Sequence, residues 1–154
     1  MKITKSTYQL NWHALSLPQI DQIMAQMPVS GMIDTLNWPS QYPSSPVTTF
    51  TLAHTCDTLY VRFEVQGEVP LATKTEDLEH VNEDACVEIF IANADNSRYW
   101  NFEFNAAGVC NASSRKSRKE DVVRLNAVQL QSIKRFPAQL CAAHWSLLIA
   151  IPLA

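Results

Sequence analysis

Residues 86–105 read CVEIFIANADNSRYWNFEFN. On either side of Asp95-Asn96 the side chains alternate with period two. They are apolar at Val87, Ile89 and Ile91, and again at Trp100, Phe102 and Phe104. That period marks a half-buried strand. Asp95 and Asn96 both tolerate left-handed backbone angles and suit a tight turn. Counting outward from them sets the register of a hairpin. Ile91 then faces Trp100, Ile89 faces Phe102 and Val87 faces Phe104 on one face. On the other face Phe90 meets Asn101 and Glu88 meets Glu103.

The same period spreads in both directions. Val47 to Ala53 reads as a strand. Leu59, Val61, Phe63 and Val65 form one face of the next, with Tyr60, Arg62 and Glu64 as alternates. After the hairpin, Asn105-Ala106-Ala107-Gly108 reads as a turn into a short strand near Val109 to Ala112. Residues 113–121 look like a polar loop, and 122–133 are expected to hold one or two weaker strands. The last strand sets Trp145, Leu147, Ile149 and Ile151 against His144, Ser146, Leu148 and Ala150. Upstream, Ile20, Ile23, Met24 and Met27 recur at helical spacing between Pro18 and Pro28, which predicts a short N-terminal helix. Pro39, Pro43 and Pro46 make residues 37–46 irregular. A succession of strands with no long helix predicts an all-β fold, an antiparallel β-sandwich with a short N-terminal helix.

The 154 residues fit one domain, 1–154. Its last strand runs into Pro152-Leu153-Ala154, so the chain is expected to continue beyond it. The composition is 47% hydrophobic and 18% charged, which is globular. A net charge of −3 leaves no electrostatic footprint for nucleic acid. No apolar run approaches the ~20 residues of a membrane span. The N-terminus lacks the apolar core of a secretory signal, which leaves a cytoplasmic protein or an exported one whose signal has been removed. Cys56, Cys86, Cys110 and Cys141 are too widely spaced for a zinc site, and free thiols are expected without an export signal.

The polar alternates gather the candidate site. Tyr60, Arg62, Glu88, Tyr99, Asn101, Glu103 and Asn105 are expected on one sheet face as ligand-binding residues. Amides and charged groups hydrogen-bond sugar hydroxyls, while aromatic rings stack on the C–H faces of a pyranose. Glu88 opposite Glu103 places like charges side by side, which requires a cation, a donor-rich ligand or a raised pKa. Arg62 is the expected internal partner. A solvated sheet face also yields polar alternates, so the pattern alone does not prove a site. Two other functions fit the same residues. A retaining glycosidase holds its carboxyls ~5–5.5 Å apart, about the spacing of cross-strand neighbours such as Glu88 and Glu103. A protein-interaction module would use the face without sugar. His54, His80 and His144 are too scattered for a metal site or a triad.

Several stretches resemble the family 9 carbohydrate-binding modules and their relatives in bacterial proteins. They are Asn37-Trp38-Pro39, Leu59 to Val65, Asn82-Glu83-Asp84-Ala85-Cys86-Val87-Glu88-Ile89-Phe90-Ile91, Tyr99 to Asn105 with Gly108, and Trp145 to Pro152. The resemblance covers roughly residues 33 to 154, with the usual uncertainty at element boundaries. It implies a jelly-roll β-sandwich that binds mono- or oligosaccharides without cleaving them, in the service of polysaccharide breakdown. Sugar is held between two tryptophan rings over polar side chains. Glu88 and Asn105 match family positions that hydrogen-bond the sugar. Glu103 stands where a basic residue is expected, and Glu79-His80-Val81-Asn82-Glu83 contains no clamp tryptophan. Members often hold structural calcium. Asp57, Asp84 and Asp95 near strand ends are the candidate ligands, although calcium takes ~6–8 oxygens and no dense acidic loop is present.

Overall fold

The computed structural model describes residues 11–41, 43 and 45–153. In chain order the elements are α1 (Leu17–Ala25), β1 (Gly31–Ile33), β2 (Val47–His54), β3 (Thr58–Gln66), β4 (Cys86–Ala92), β5 (Tyr99–Asn105), β6 (Cys110–Arg115), β7 (Val123–Arg124), α2 (Ala127–Ser132), β8 (Lys134–Cys141) and β9 (His144–Pro152). They form two antiparallel sheets, the components of the sandwich that the alternation predicts. Each sheet belongs to its own compact unit, Met1–Val69 with Ile133–Ala154, and Pro70–Ser132.

The first unit carries the sheet ordered β1-β2-β3-β9-β8. Its centre is the β3–β9 pair, where Val61 meets Ile149 and Phe63 meets Leu147. These residues, with Val65, Trp145 and Ile151, are buried on one face of the sheet. The other face is covered by α1. Pro18 sits in the first turn of the helix, and Gln19 accepts a hydrogen bond from the Ser16 backbone N–H at 2.9 Å. Both features favour a helix start. Ile20 and Met24 project from α1 onto Ala53, Tyr60, Leu148 and Ala150, and Trp12 joins them. Full burial of each such side chain stabilises the fold by about 1.5–3 kcal/mol. A nine-residue helix is marginal in water, so this packing is what holds α1.

The sequence gives no sign of β1 or β8, and the structure shows why. β1 has three residues, and one of them is Gly31. The Phe50 ring lies so close that a Cβ on Gly31 would fall 2.5 Å from it. β8 contains Pro137, which speaks against a central strand. β8 is an edge strand, where a missing N–H costs no ladder bond.

The second unit carries the sheet ordered β4-β5-β6-β7. The register of β4 and β5 is the one obtained by counting from Asp95-Asn96: Val87↔Phe104, Ile89↔Phe102 and Ile91↔Trp100. Asn96 adopts φ +56°, the left-handed conformation the turn calls for. Phe102 and Phe104 are buried, whereas Trp100 is half-buried. Gly108, at φ +83°, closes the turn into β6 by donating to the Asn105 carbonyl at 2.8 Å. β6 extends to Arg115, three residues further than its apolar pattern indicates. Residues 122–133 were expected to hold strands only. They hold the short β7 and then a helix, α2. The helix start is a reciprocal cap. The Asn126 N–H donates to Gln129 Oε1 at 2.9 Å, and the Gln129 N–H donates to Asn126 Oδ1 at 3.0 Å. Asn126-x-x-Gln129 is legible in the sequence as that motif.

Candidate functional site

The polar face of the β4–β7 sheet follows from its register. Glu88, Glu103 and Asn111 form one cross-strand row. Phe90, Asn101, Ser113 and Arg124 form the next, and Ala92, Tyr99 and Arg115 the third. The expected neighbours Glu88 and Glu103 therefore do face each other. Asn101 Nδ2 donates to Glu88 at 3.3 Å, and Asn111 Nδ2 donates to Glu103 at 2.8 Å. Arg115 donates to Ser113 Oγ at 2.7 Å and to Asn101 Oδ1 at 3.5 Å. Enclosure by its neighbours raises the Glu88 pKa above the ordinary carboxylate value, and Glu103 adds to the rise, against the Asn101 amide and Arg115. Burial, with a further contribution from the same carboxylates, pushes the Cys86 thiol up to about 12.

An aromatic platform lies beside the carboxylates. Phe90 is 56% exposed in the middle of this polar face. Its ring centroid is 6.0 Å from that of half-buried Tyr99, at an interplanar angle of 52°. The face thus offers an apolar ring surface flanked by acceptors and amides.

Asn105 has a different part. It is fully buried. Its Nδ2 donates to the Lys74 carbonyl at 3.0 Å and to Asp84 at 2.9 Å, while Oδ1 accepts from the Ala107 and Val109 N–H groups at 3.1 and 2.9 Å. Both ends of the amide are occupied. Asp84 is held in turn by Thr73 Oγ1 at 2.6 Å and by the Thr73 and Lys74 N–H groups. Some desolvation opposes ionisation, but these donors keep the Asp84 carboxyl well below the usual carboxylate range. Asn105 and Asp84 tie the 73–84 loop to the end of β5.

Tyr60 and Arg62 do not join Glu88 and Glu103 on one face. They lie on the other sheet, in the first unit, where α1 covers them, and each is only 5% exposed. Arg62 does have carboxylate partners, but they are Asp21 of α1, at 2.9 Å, and Glu64, at 2.6 Å. His144 Nε2 meets the other Glu64 oxygen at 2.8 Å. Burial works against the Glu64 charge, yet Arg62 and His144 outweigh it and lower its pKa. The expectation failed because alternation identifies a face within a strand but not the sheet to which the strand belongs.

Each of the three aspartates considered for calcium accepts hydrogen bonds from neighbouring groups. Asp57 accepts from Thr55 Oγ1 at 2.7 Å and from Thr58 Oγ1 at 3.1 Å. Asp95 accepts from the Ser97 N–H, and Asp84 is engaged as described. Among the described residues no three His, Cys, Asp or Glu side chains converge as metal ligands. Among the described residues the four cysteines form no disulfide, and Cys56 and Cys141 are exposed.

The profile of carbohydrate-binding family 9 matches residues 18–154. The chain belongs to carbohydrate-binding family 9. The match takes in α1 and both sheets, further upstream than the resemblance visible in the sequence. Among solved structures, one similar to this family 9 chain is a proposed carbohydrate-binding protein from Bacteroides uniformis ATCC 8492. It has a TM-score of 0.75 and 26% identity over 88% of this chain. The chain spans 64% of that protein's length. No curated protein matches. Of the two positions carried over from family 9, Glu88 presents its carboxylate on the open face, while Asn105 is engaged inside the fold. Where a clamp tryptophan was expected, Val81 is fully buried in a short 3-10 turn. Phe90, Asn111, Ser113 and Arg115 are neighbours on the face that were not singled out from the sequence. Extending the register count through the Gly108 turn would have placed the last three beside Glu103, Asn101 and Tyr99 respectively.

Proposed function

We propose that the polar face of the β4–β7 sheet binds a mono- or oligosaccharide without cleaving it, as an accessory to polysaccharide breakdown. The observation that carries this reading is Phe90, an exposed ring set among Glu88, Asn101, Glu103 and Tyr99. An exposed aromatic ringed by hydrogen-bonding groups matches the two kinds of surface on a pyranose. Glu88, Tyr99 and Glu103 remain the proposed contacts, joined by Phe90 and Arg115, while Asn101, buried and bonded to both Glu88 and Arg115, orients those two side chains. Tyr60 and Arg62 are assigned to the packing of α1, and Asn105 to the support of the loop. An open face desolvates its ligand only in part, so affinities of ~μM to mM are expected.

The test is calorimetry over common plant and host-glycan sugars. Glu88→Ala should weaken binding by about ten- to a hundredfold, the worth of a hydrogen bond to a charged group. Its melting temperature should stay close to the parent's, because Glu88 lies on the polar face and is no part of the core. Binding should also fall on acidification, once pH drops through the raised Glu88 pKa and the acceptor takes up a proton. No heat with any sugar rejects the reading. Release of reducing ends from an oligosaccharide, abolished by Glu88→Gln, would replace it with glycoside hydrolysis.

A further inference from the structure

We infer that the sugar taken by this face is a cationic amino sugar, whose ammonium group sits over the Glu88–Glu103 pair while its ring stacks on Phe90. This rests on the reading of the face as a sugar site and names the chemical class of the ligand. Two observations carry it, one for the charge and one for the ring.

The first is that neither carboxylate of the pair has a cation in direct contact, Arg115 acting on Glu88 only from a distance. Among the described residues neither Glu88 nor Glu103 has a Lys, Arg or His within ion-pair distance. The cations that share the face or border it are turned to other partners. Arg115 donates to Ser113, Asn101 and the Arg118 carbonyl, Arg124 donates to the Leu78 carbonyl, and Lys74 pairs with Glu83 at 2.7 Å. Each carboxylate accepts one amide bond within the protein, from Asn101 or Asn111. An ionised carboxylate has about four acceptor sites, so most of this capacity faces outward. Neutral hydroxyls fill acceptors but leave the like-charge repulsion in place. An ammonium group does both, and a uronate adds a third negative charge.

The second observation is the position of the ring. Phe90 follows Glu88 by two residues on β4 and lies in the next row of the same face. Alternate residues of a strand are about 6.5–7 Å apart. A pyranose stacked on Phe90 therefore reaches the carboxylate row with a substituent on its edge. The only ring neighbour of Phe90 among the described residues is Tyr99. The ring and the carboxylates together describe a ligand that is apolar on one face and positive at one edge.

The experiment uses the intact chain and four tetrasaccharide probes: β-1,4-glucosamine with free amines, its fully N-acetylated counterpart, cellotetraose and tetragalacturonate. Calorimetry near pH 5.5–6 keeps most of the amines charged, because the electron-withdrawing ring oxygens make them less basic than an ordinary α-amine at ~7.7–8.0. The free-amine sugar should bind about five- to tenfold more tightly than the acetylated one, the scale of a partly screened surface charge contact. The uronate should bind most weakly. The advantage of the free amine should shrink as ionic strength rises from about 0.05 to 0.5 M. Glu103→Gln retains an acceptor for Asn111 and removes one charge, so the ratio of free-amine to acetylated-sugar affinity should fall close to one, whatever the change in either affinity alone. Equal or tighter binding of the acetylated or neutral sugar, or a preference for the uronate, overturns the inference and leaves the sugar-binding face standing. A free-amine advantage insensitive to salt overturns it as well, on the unsubstituted protein. Absence of heat with all four probes rejects the face as a sugar site, and the inference with it.

Discussion

Replacing Asn105 by alanine is expected to destabilise the protein by about 3 kcal/mol, a loss read from urea unfolding. Leaving a buried hydrogen-bonding group unpaired costs about 1–3 kcal/mol, and this amide has four partners. Loop rearrangement and water recover part of the sum. The Ala107 and Val109 N–H groups lose their acceptor, and the Lys74 carbonyl and Asp84 lose a donor. Asn105→Asp separates the two halves of the amide. It keeps an acceptor for Ala107 and Val109 but sets a second carboxylate against Asp84. Two carboxylates in contact do not both ionise easily, so the pair should take up a proton more readily in the folded state. Stability of Asn105→Asp should then recover as pH falls, the reverse of the parent's loss as Asp84 protonates. An Asn105→Ala variant that unfolds at the parent's urea midpoint would falsify the assignment of this residue to the interior.

Arg62→Met should cost about 3–5 kcal/mol, the usual penalty for removing one partner of a buried ion pair. The Asp21 carboxylate, on the buried side of α1, is then left without its cation. Glu64 keeps His144 and is more open to water, so Asp21 carries most of the loss. Asp21→Leu combined with Arg62→Met should recover much of the stability, because apolar packing replaces buried ion pairs at little or no cost. Where the single variant still folds, its sugar affinity should equal the parent's. Loss of sugar binding at full stability would return Arg62 to the ligand site.

What the sequence made legible follows the range of each physical signal. Alternation together with a turn is local, and it placed Glu88 against Glu103 and Phe104 beside Val87 correctly. The helical spacing of Ile20, Ile23 and Met24 likewise found α1. Which sheet a strand joins is not local. β3 pairs with β2 and β9 rather than with β4, so Tyr60 and Arg62 were grouped with the wrong partners. Asn105 shows a second limit. Its period puts it on the polar face, but at the strand end the 73–84 loop folds over it and turns a surface amide into an interior one. Phe90 was visible as the one phenylalanine among the polar alternates of the hairpin, and its meaning needed the exposure that only the structure supplies.

The connection between β3 and β9 bears on how the protein reaches its fold. These strands lie side by side at the centre of their sheet, yet all of the Pro70–Ser132 unit lies between them in the chain. β4, β5 and β6, by contrast, follow one another as a meander of near neighbours. Contacts between distant parts of a chain form slowly, because the intervening segment must first be gathered in. During synthesis β9 leaves the ribosome only after the whole Pro70–Ser132 unit, so β3 has to wait with one edge unpaired while the meander can already form. In pulse-labelled hydrogen exchange, amides of Val87 and Phe104 are expected to gain protection before those of Val61 and Ile149, and the opposite order would rule out this sequence of events.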